Sequence, residues 1–182
     1  LDLEWLTITV LTSGSTGEAK AICKPLRCFA EELRVLEQQW GVQLGKAAVL
    51  ATVSHQHIYG LLFRLLWPLC AGRPFAAETA LYPETLVASI RQWPRSVLVS
   101  SPAQLQRFPP ALDVAAMASQ VTAIFSSGGP LPFAVAQQWR AQLALPDRQP
   151  SGDRSHLARS LLRPARRQRH RAPGLDRRGL PG

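Results

Sequence analysis

WLTITVLTSGSTGEAKAICKPL, residues 5–26, decides how the rest of this chain is read. Residues 5–11 are rich in β-branched side chains and bounded by polar ones, which predicts a strand. Residues 21–26, AICKPL, predict a second strand that closes a hairpin, with Pro25 near its end. Between them, residues 12–20 hold two glycines, four hydroxyl side chains and a lysine. Phosphate oxygens need several donors at short range. Glycines let backbone N–H groups approach, Ser and Thr add hydroxyls, and Lys adds charge. The loop is not G-x-x-x-x-G-K-S/T, because Lys20 stands three residues past Gly17 and no Ser or Thr follows it. Nor is it G-x-G-x-x-G. The residues alone therefore leave two readings open, an anion-binding loop and a plain polar hairpin turn.

Beyond the hairpin the chain repeats one grammar: strand, small polar loop, helix. Residues 27–41 place Phe29, Leu33, Leu36 and Trp40 on one helical face, with Gly41 expected at the C-terminal cap. Residues 47–53 read as a buried strand and 54–60 as a loop. Residues 61–72 read as an apolar helix ended by Pro68 and Gly72. A short strand is expected near Phe75. A helix is expected over 82–93 with Leu86, Ile90 and Trp93 inward, and a strand over 95–101. Pro102 suits a helix's first turn, 120–129 reads as a strand entering a glycine turn, and 130–144 as a helix. This order predicts an α/β fold, a partial parallel sheet buried on both faces by flanking helices. Ligands of such sheets collect at the carboxyl ends of the strands, where loops 12–20, 54–60 and 126–132 are expected to meet.

Composition sharpens the organisation. The 182 residues carry a formal charge of +9, yet residues 146–182 alone hold ten arginines and three aspartates. The rest is close to balance, so whole-chain basicity is no argument for nucleic acid, and no nucleic-acid partner is expected. The segment 146–182 contains no Val, Ile, Phe, Tyr or Trp, and that composition cannot build a core. The chain therefore divides at residue 145 into a folded part, 1–145, and an unstructured basic tail, 146–182. The tail reads as a frame shift around residues 144–150, with a genuine disordered arm binding RNA or an acidic surface as the alternative. Cys23, Cys28 and Cys70 lack metal-ligand spacing, and no metal site is expected. They suit reduced thiols in the cytoplasm. No signal peptide is evident at the start, and GLLFRLLWPLCAG is too short for the about 20 residues of a membrane span.

The loop TSGSTGEAK closely resembles the phosphate loop of the AMP-forming, or adenylate-forming, ligase superfamily: acyl- and aryl-CoA synthetases, luciferases and peptide-synthetase adenylation domains. Against the pattern T-S-G-S/T-T-G-x-P-K-G, Thr12, Ser13, Gly14, Ser15, Thr16, Gly17 and Lys20 match, while Ala19 and Ala21 replace the usual proline and glycine. Two later segments fit the same resemblance. SHQHIYGLLF carries H-x-Y/F-G/A at His57, Tyr59 and Gly60, and FSSGGPLP carries Ser127, Gly128, Gly129, Pro130 and Leu131. The resemblance implies a fragment of the large N-terminal domain of such an enzyme. It implies ATP at the first loop, with Lys20 as a catalytic cation, and His57 beside the carboxylate and α-phosphate. Tyr59 and Gly60 would then belong to the substrate pocket, and residues 127–131 would form the adenine and acyl wall. His55, two residues earlier, reads as structural or as a support behind the site residues.

The implied activity is ATP-dependent activation of a carboxylic acid, acyl or aryl, to an acyl-adenylate. The acyl group then passes to a thiol, either coenzyme A or the phosphopantetheine of an acyl carrier protein. Magnesium would shield the phosphates, but the Y-G-x-S/T-E segment that contacts it in the family does not occur here. The family's lid lysine is also missing, so these 182 residues are not expected to complete a turnover. A non-catalytic nucleotide- or partner-binding remnant with a basic interaction tail is the competing reading. A Ser127/His57 hydrolase is disfavoured, since no G-x-S-x-G surrounds the serine.

Overall fold

The computed structural model describes residues 5–13, 19–109 and 114–145. The basic tail 146–182 and the loop residues Gly14, Ser15, Thr16 and Gly17 lie outside them. The hairpin forms as expected from strands β1 (Thr7–Ser13) and β2 (Ala19–Pro25), antiparallel from Thr7 opposite Pro25 to Ser13 opposite Ala19. Alternation drives it: Val10 is buried and Ile8 packs on the core, while Thr7, Thr9 and Leu11 face out. The ladder runs further toward the tip than the sequence suggests. Thr12 pairs with Lys20 and Ser13 with Ala19, so both ends of the polar stretch join the ladder.

Helix α1 (Leu26–Leu44) follows directly, and Leu26 N–H donates to Leu6 O at 2.7 Å. It passes through Gly41 and stops at Gly45, whose φ of 55° is the left-handed turn that glycine tolerates. The expected cap at Gly41 is thus corrected. Leu44 continues the apolar face and is buried, so three more residues of helix are favoured by burial.

Strands β3 (Ala48–Ala51), β4 (Ser96–Ser100) and β5 (Val121–Ser126) form the parallel sheet in the order β3-β4-β5. Odd-numbered Val49, Ala51, Val97, Val99, Ala123 and Phe125 face a core built with Phe29, Leu36, Leu62 and Trp67. Leu50, Leu98 and Ile124 face a second core, built with helices α3 (Pro83–Ile90), α4 (Pro102–Gln106) and α5 (Phe133–Leu143) and the 3₁₀ turn Ala115–Met117. The strand expected near Phe75 is reduced to one bridge with Val49.

Between β3 and α3 runs one helical stretch, α2, over residues 58–70. It is α-helical over Ile58–Gly60, π-helical over Leu61–Leu66 and α-helical again over Trp67–Cys70. Pro68 therefore lies inside the helix instead of ending it. The wide π turn stands immediately before Pro68, which has no N–H to give and whose ring crowds the preceding turn of a regular α-helix. No helix among the described residues is long and apolar enough to cross a membrane.

Arg73, just past α2, closes this side of the molecule. It is buried, with Nη1 at 2.7 Å and Nη2 at 2.8 Å from the Glu37 carboxylate and Nε donating to Gly45 O at 2.8 Å. Trp67 Nε1 donates to the same carboxylate at 2.9 Å. The bonds from Arg73 hold the Glu37 carboxyl below its ordinary range, against the opposing effect of desolvation. A carboxyl lowered by folding stabilises above its unfolded pKa and loses that contribution as pH falls through the folded one. Glu37→Gln should cost about 1–3 kcal/mol at neutral pH, reduced by the half-exposure of Glu37. The gap from wild type should close as pH falls below about 4.5, which urea melts across pH would measure.

Candidate functional site at the carboxyl edge of the parallel sheet

All three parallel strands end in a small hydroxyl residue or run directly into one: Thr52 after β3, Ser100 on β4 and Ser126 on β5. Thr52 Oγ1 and Ser100 Oγ hydrogen-bond at 2.8 Å, and Thr52 N–H donates to Val99 O at 3.0 Å. Ser126 stands in register opposite Ser100, and its Oγ is buried without a partner. Ser101 caps α4, accepting from Gln104 N–H at 3.3 Å. The sequence reading missed this row of hydroxyls. Its signal was faint: one small polar residue closing each apolar run, as in VLVSS.

Above the row stands the turn 54–57. His55 and His57 are both exposed. His57 is the residue before α2, with extended backbone, and its carbonyl accepts from Leu61 N–H at 2.7 Å. Tyr59 turns inward and packs on Phe63, ring centres 4.9 Å apart. Its phenol oxygen is buried and has no hydrogen-bond partner. Burial pushes the phenol well above its ordinary pKa, and the Ser100 main chain opposes this without reaching hydrogen-bond geometry. Tyr59 is therefore a neutral buried hydroxyl beside the carboxyl end of β4. Gly60 packs against the histidine turn. A Cβ there would stand 1.9 Å from Ser54 O, so the glycine is where α2 and the histidine turn touch backbone to backbone.

Residues 127–132 leave β5 on the same edge. Ser127 N–H reaches Ser100 O at 3.4 Å, Gly128 has a φ of 95°, and Gly128, Gly129 and Pro130 are exposed. Leu131 turns back onto the second core and lines a groove with Ser126, Trp139 and Leu145.

Two of the three anticipated loops, 54–60 and 126–132, thus share one edge. The third is not the exit of a parallel strand, because it joins an antiparallel hairpin that forms a sheet of its own. Thr12, Ser13 and Lys20 hold backbone places in that ladder. Among the described residues no three His, Cys, Asp or Glu side chains gather as a metal site, and the family's magnesium-contacting segment is missing from the sequence.

Residues 4–148 match the AMP-binding enzyme family, and the chain belongs to it. No curated protein matches the chain. Among solved structures it resembles ATP-bound MatB from Rhodopseudomonas palustris at 20% identity and TM-score 0.62, over 73% of this chain and 26% of that one. It also resembles an acyl-CoA synthetase of Brucella canis at 22% identity and TM-score 0.62, over 76% and 26%. A third is the anthranilate CoA ligase AuaEII in complex with anthranoyl-AMP, at 18% and TM-score 0.55, over 75% and 27%. These likenesses establish the fold of an adenylate-forming N-terminal domain, and the chain spans about a quarter of the length of the structures it matches.

The contact at Gly60 yields a direct test. In Gly60→Ala, helix α2 and the Ser54 carbonyl must separate, at a cost of about 1–3 kcal/mol. A thermal melt should register the loss, and the imidazole NMR signals of His55 and His57 should shift. Unmoved signals with an unchanged melt would contradict the contact.

Proposed function

We propose that this chain carries the nucleotide- and acid-binding part of an AMP-forming acid–thiol ligase. The observation that carries the reading is family membership over residues 4–148. The meeting of the 54–60 and 126–132 loops at one edge of the parallel sheet supports it. In this reading Thr12, Ser13, Gly14, Ser15, Thr16, Gly17 and Lys20 hold the ATP triphosphate, chiefly through backbone N–H groups, hydroxyls and the ammonium charge. The carboxylate of an acyl or aryl acid attacks the α-phosphorus, the bond to the β-phosphate oxygen breaks, and pyrophosphate leaves with that electron pair. His57 donates a hydrogen bond to the charge developing between carboxylate and α-phosphate. Among the described residues, Tyr59 and Ser126 offer buried, unpartnered hydroxyls that a bound ligand can satisfy. Residues 127–131 flank the adenine and the acyl group. The acyl group then passes to the thiol of coenzyme A or of carrier-protein phosphopantetheine: the sulfur, losing its proton, bonds to the acyl carbon, and AMP leaves with the electron pair of the broken anhydride bond. The three free thiols, Cys23, Cys28 and Cys70, suit a cytoplasmic enzyme.

A second reading, a binder without chemistry, is favoured by two observations. The arginines concentrate in residues 146–182, and the acidic magnesium-contacting segment is missing.

The 182-residue polypeptide is expected to bind ATP saturably. Lys20→Ala should weaken binding roughly 10- to 100-fold, the weight of a hydrogen bond to a charged group. Acid-dependent ATP–pyrophosphate exchange should be undetectable. Exchange with any carboxylic acid would refute the claim that these residues alone do not turn over. No ATP binding at all would refute the nucleotide site.

A further inference from the structure

Arg64 is a cation set in one of the most apolar stretches of the chain, GLLFRLLWPL, and it is only 3% exposed. Among the described residues no carboxylate forms an ion pair with it. Its donors go instead to two separate segments. Nη1 donates to Val53 O at 3.0 Å and to the Thr79 hydroxyl, and Nη2 donates to Ala77 O at 2.7 Å. Val53 leads into the turn 54–57. Residues 77–79 follow the bridge at Phe75, and Ala80 N–H fixes the end of that segment to Ala51 O at 2.9 Å. Arg64 lies four residues after Gly60, on the same side of α2, and Gly60 is pressed against Ser54 O.

Burying an arginine without an acid costs several kcal/mol unless its N–H groups are satisfied, and a leucine would fill the same space at less cost. Only a planar fork reaches acceptors on both segments together. A lysine offers one nitrogen on a flexible stem. We propose that Arg64 is a positioning residue. It clamps the root of the histidine turn to the 77–79 segment, so that Gly60 and Arg64 fix His57 from two points. The link from His57 to chemistry rests on the ligase reading above. The clamp itself does not.

The test uses the full chain and three variants, Arg64→Lys, Thr79→Val and Thr79→Ser. Amide hydrogen exchange of residues 54–58 should accelerate at least about tenfold in Arg64→Lys while Val97–Val99 stay within about twofold of wild type. Thr79→Val leaves the arginine in place, retains the fold and should accelerate the same amides less, with Thr79→Ser restoring them. Unchanged exchange over 54–58 in Arg64→Lys would overturn the proposal. So would equal acceleration of the turn and of β4, which would mark Arg64 as a general stabiliser. If Arg64→Lys does not fold, the pair of Thr79 variants decides by the same criterion. The imidazole NMR signals of His57 on addition of AMP form the second readout, expected to move in wild type and to move less in Arg64→Lys. If AMP fails to move them in wild type while the turn still loosens in Arg64→Lys, the ligase reading of His57 fails and the clamp stands.

Discussion

A three-stranded parallel sheet in water must be covered on both faces, and this constraint orders most of the molecule. In β3, β4 and β5, alternate residues point into two cores, so each strand needs apolar side chains at nearly every position. The chain meets that demand with α1, α2 and the hairpin on one side and α3, α4 and α5 on the other. Where the strands end, coverage thins and side chains turn polar. Thr52, Ser100 and Ser126 stand at that boundary, and the loops that leave it carry the residues of the candidate site.

Helix α2 serves both the core and the site, and its irregularity follows from doing so. Ile58, Leu62 and Trp67 face the first core, while Gly60 and Arg64 face the turn that leaves β3. An ideal α-helix carries one apolar stripe. Burying a second flank requires either a small residue at the contact or a polar one whose donors are satisfied there. Gly60 is the first and Arg64 the second. The π turn between Leu61 and Leu66 also lets the helix run past Pro68 to Cys70, bringing Trp67 against Glu37.

Much of this was legible from residue patterns. Alternation in TITVL gave the hairpin, three- and four-residue steps gave α1 and α3, and Pro102 marked the start of α4. The errors share a physical cause. Gly41 reads as a cap from local preference, but burial of Leu44 outweighs it. Pro68 reads as a stop, but the π turn accommodates it. The polar loop reads as nine residues, but cross-strand pairing zips its ends into the ladder. Burial of Leu44, a local widening of the helix and cross-strand pairing each outweighed a local preference, worth about 1 kcal/mol for glycine and about 3 kcal/mol for proline.

The sequence by itself determined the class of fold and the family, because periodicity and the three loop motifs are local and each reports its own backbone. It also marked His57, Tyr59 and residues 127–131 as residues to watch. Tertiary structure alone decided which of them share an edge, that Gly60 is a packing point, and that Tyr59 and Ser126 keep unpartnered hydroxyls. It alone decided that Arg64 spans two segments. Those properties depend on which atoms from distant parts of the chain meet in a low-dielectric interior, and residue order does not encode that locally.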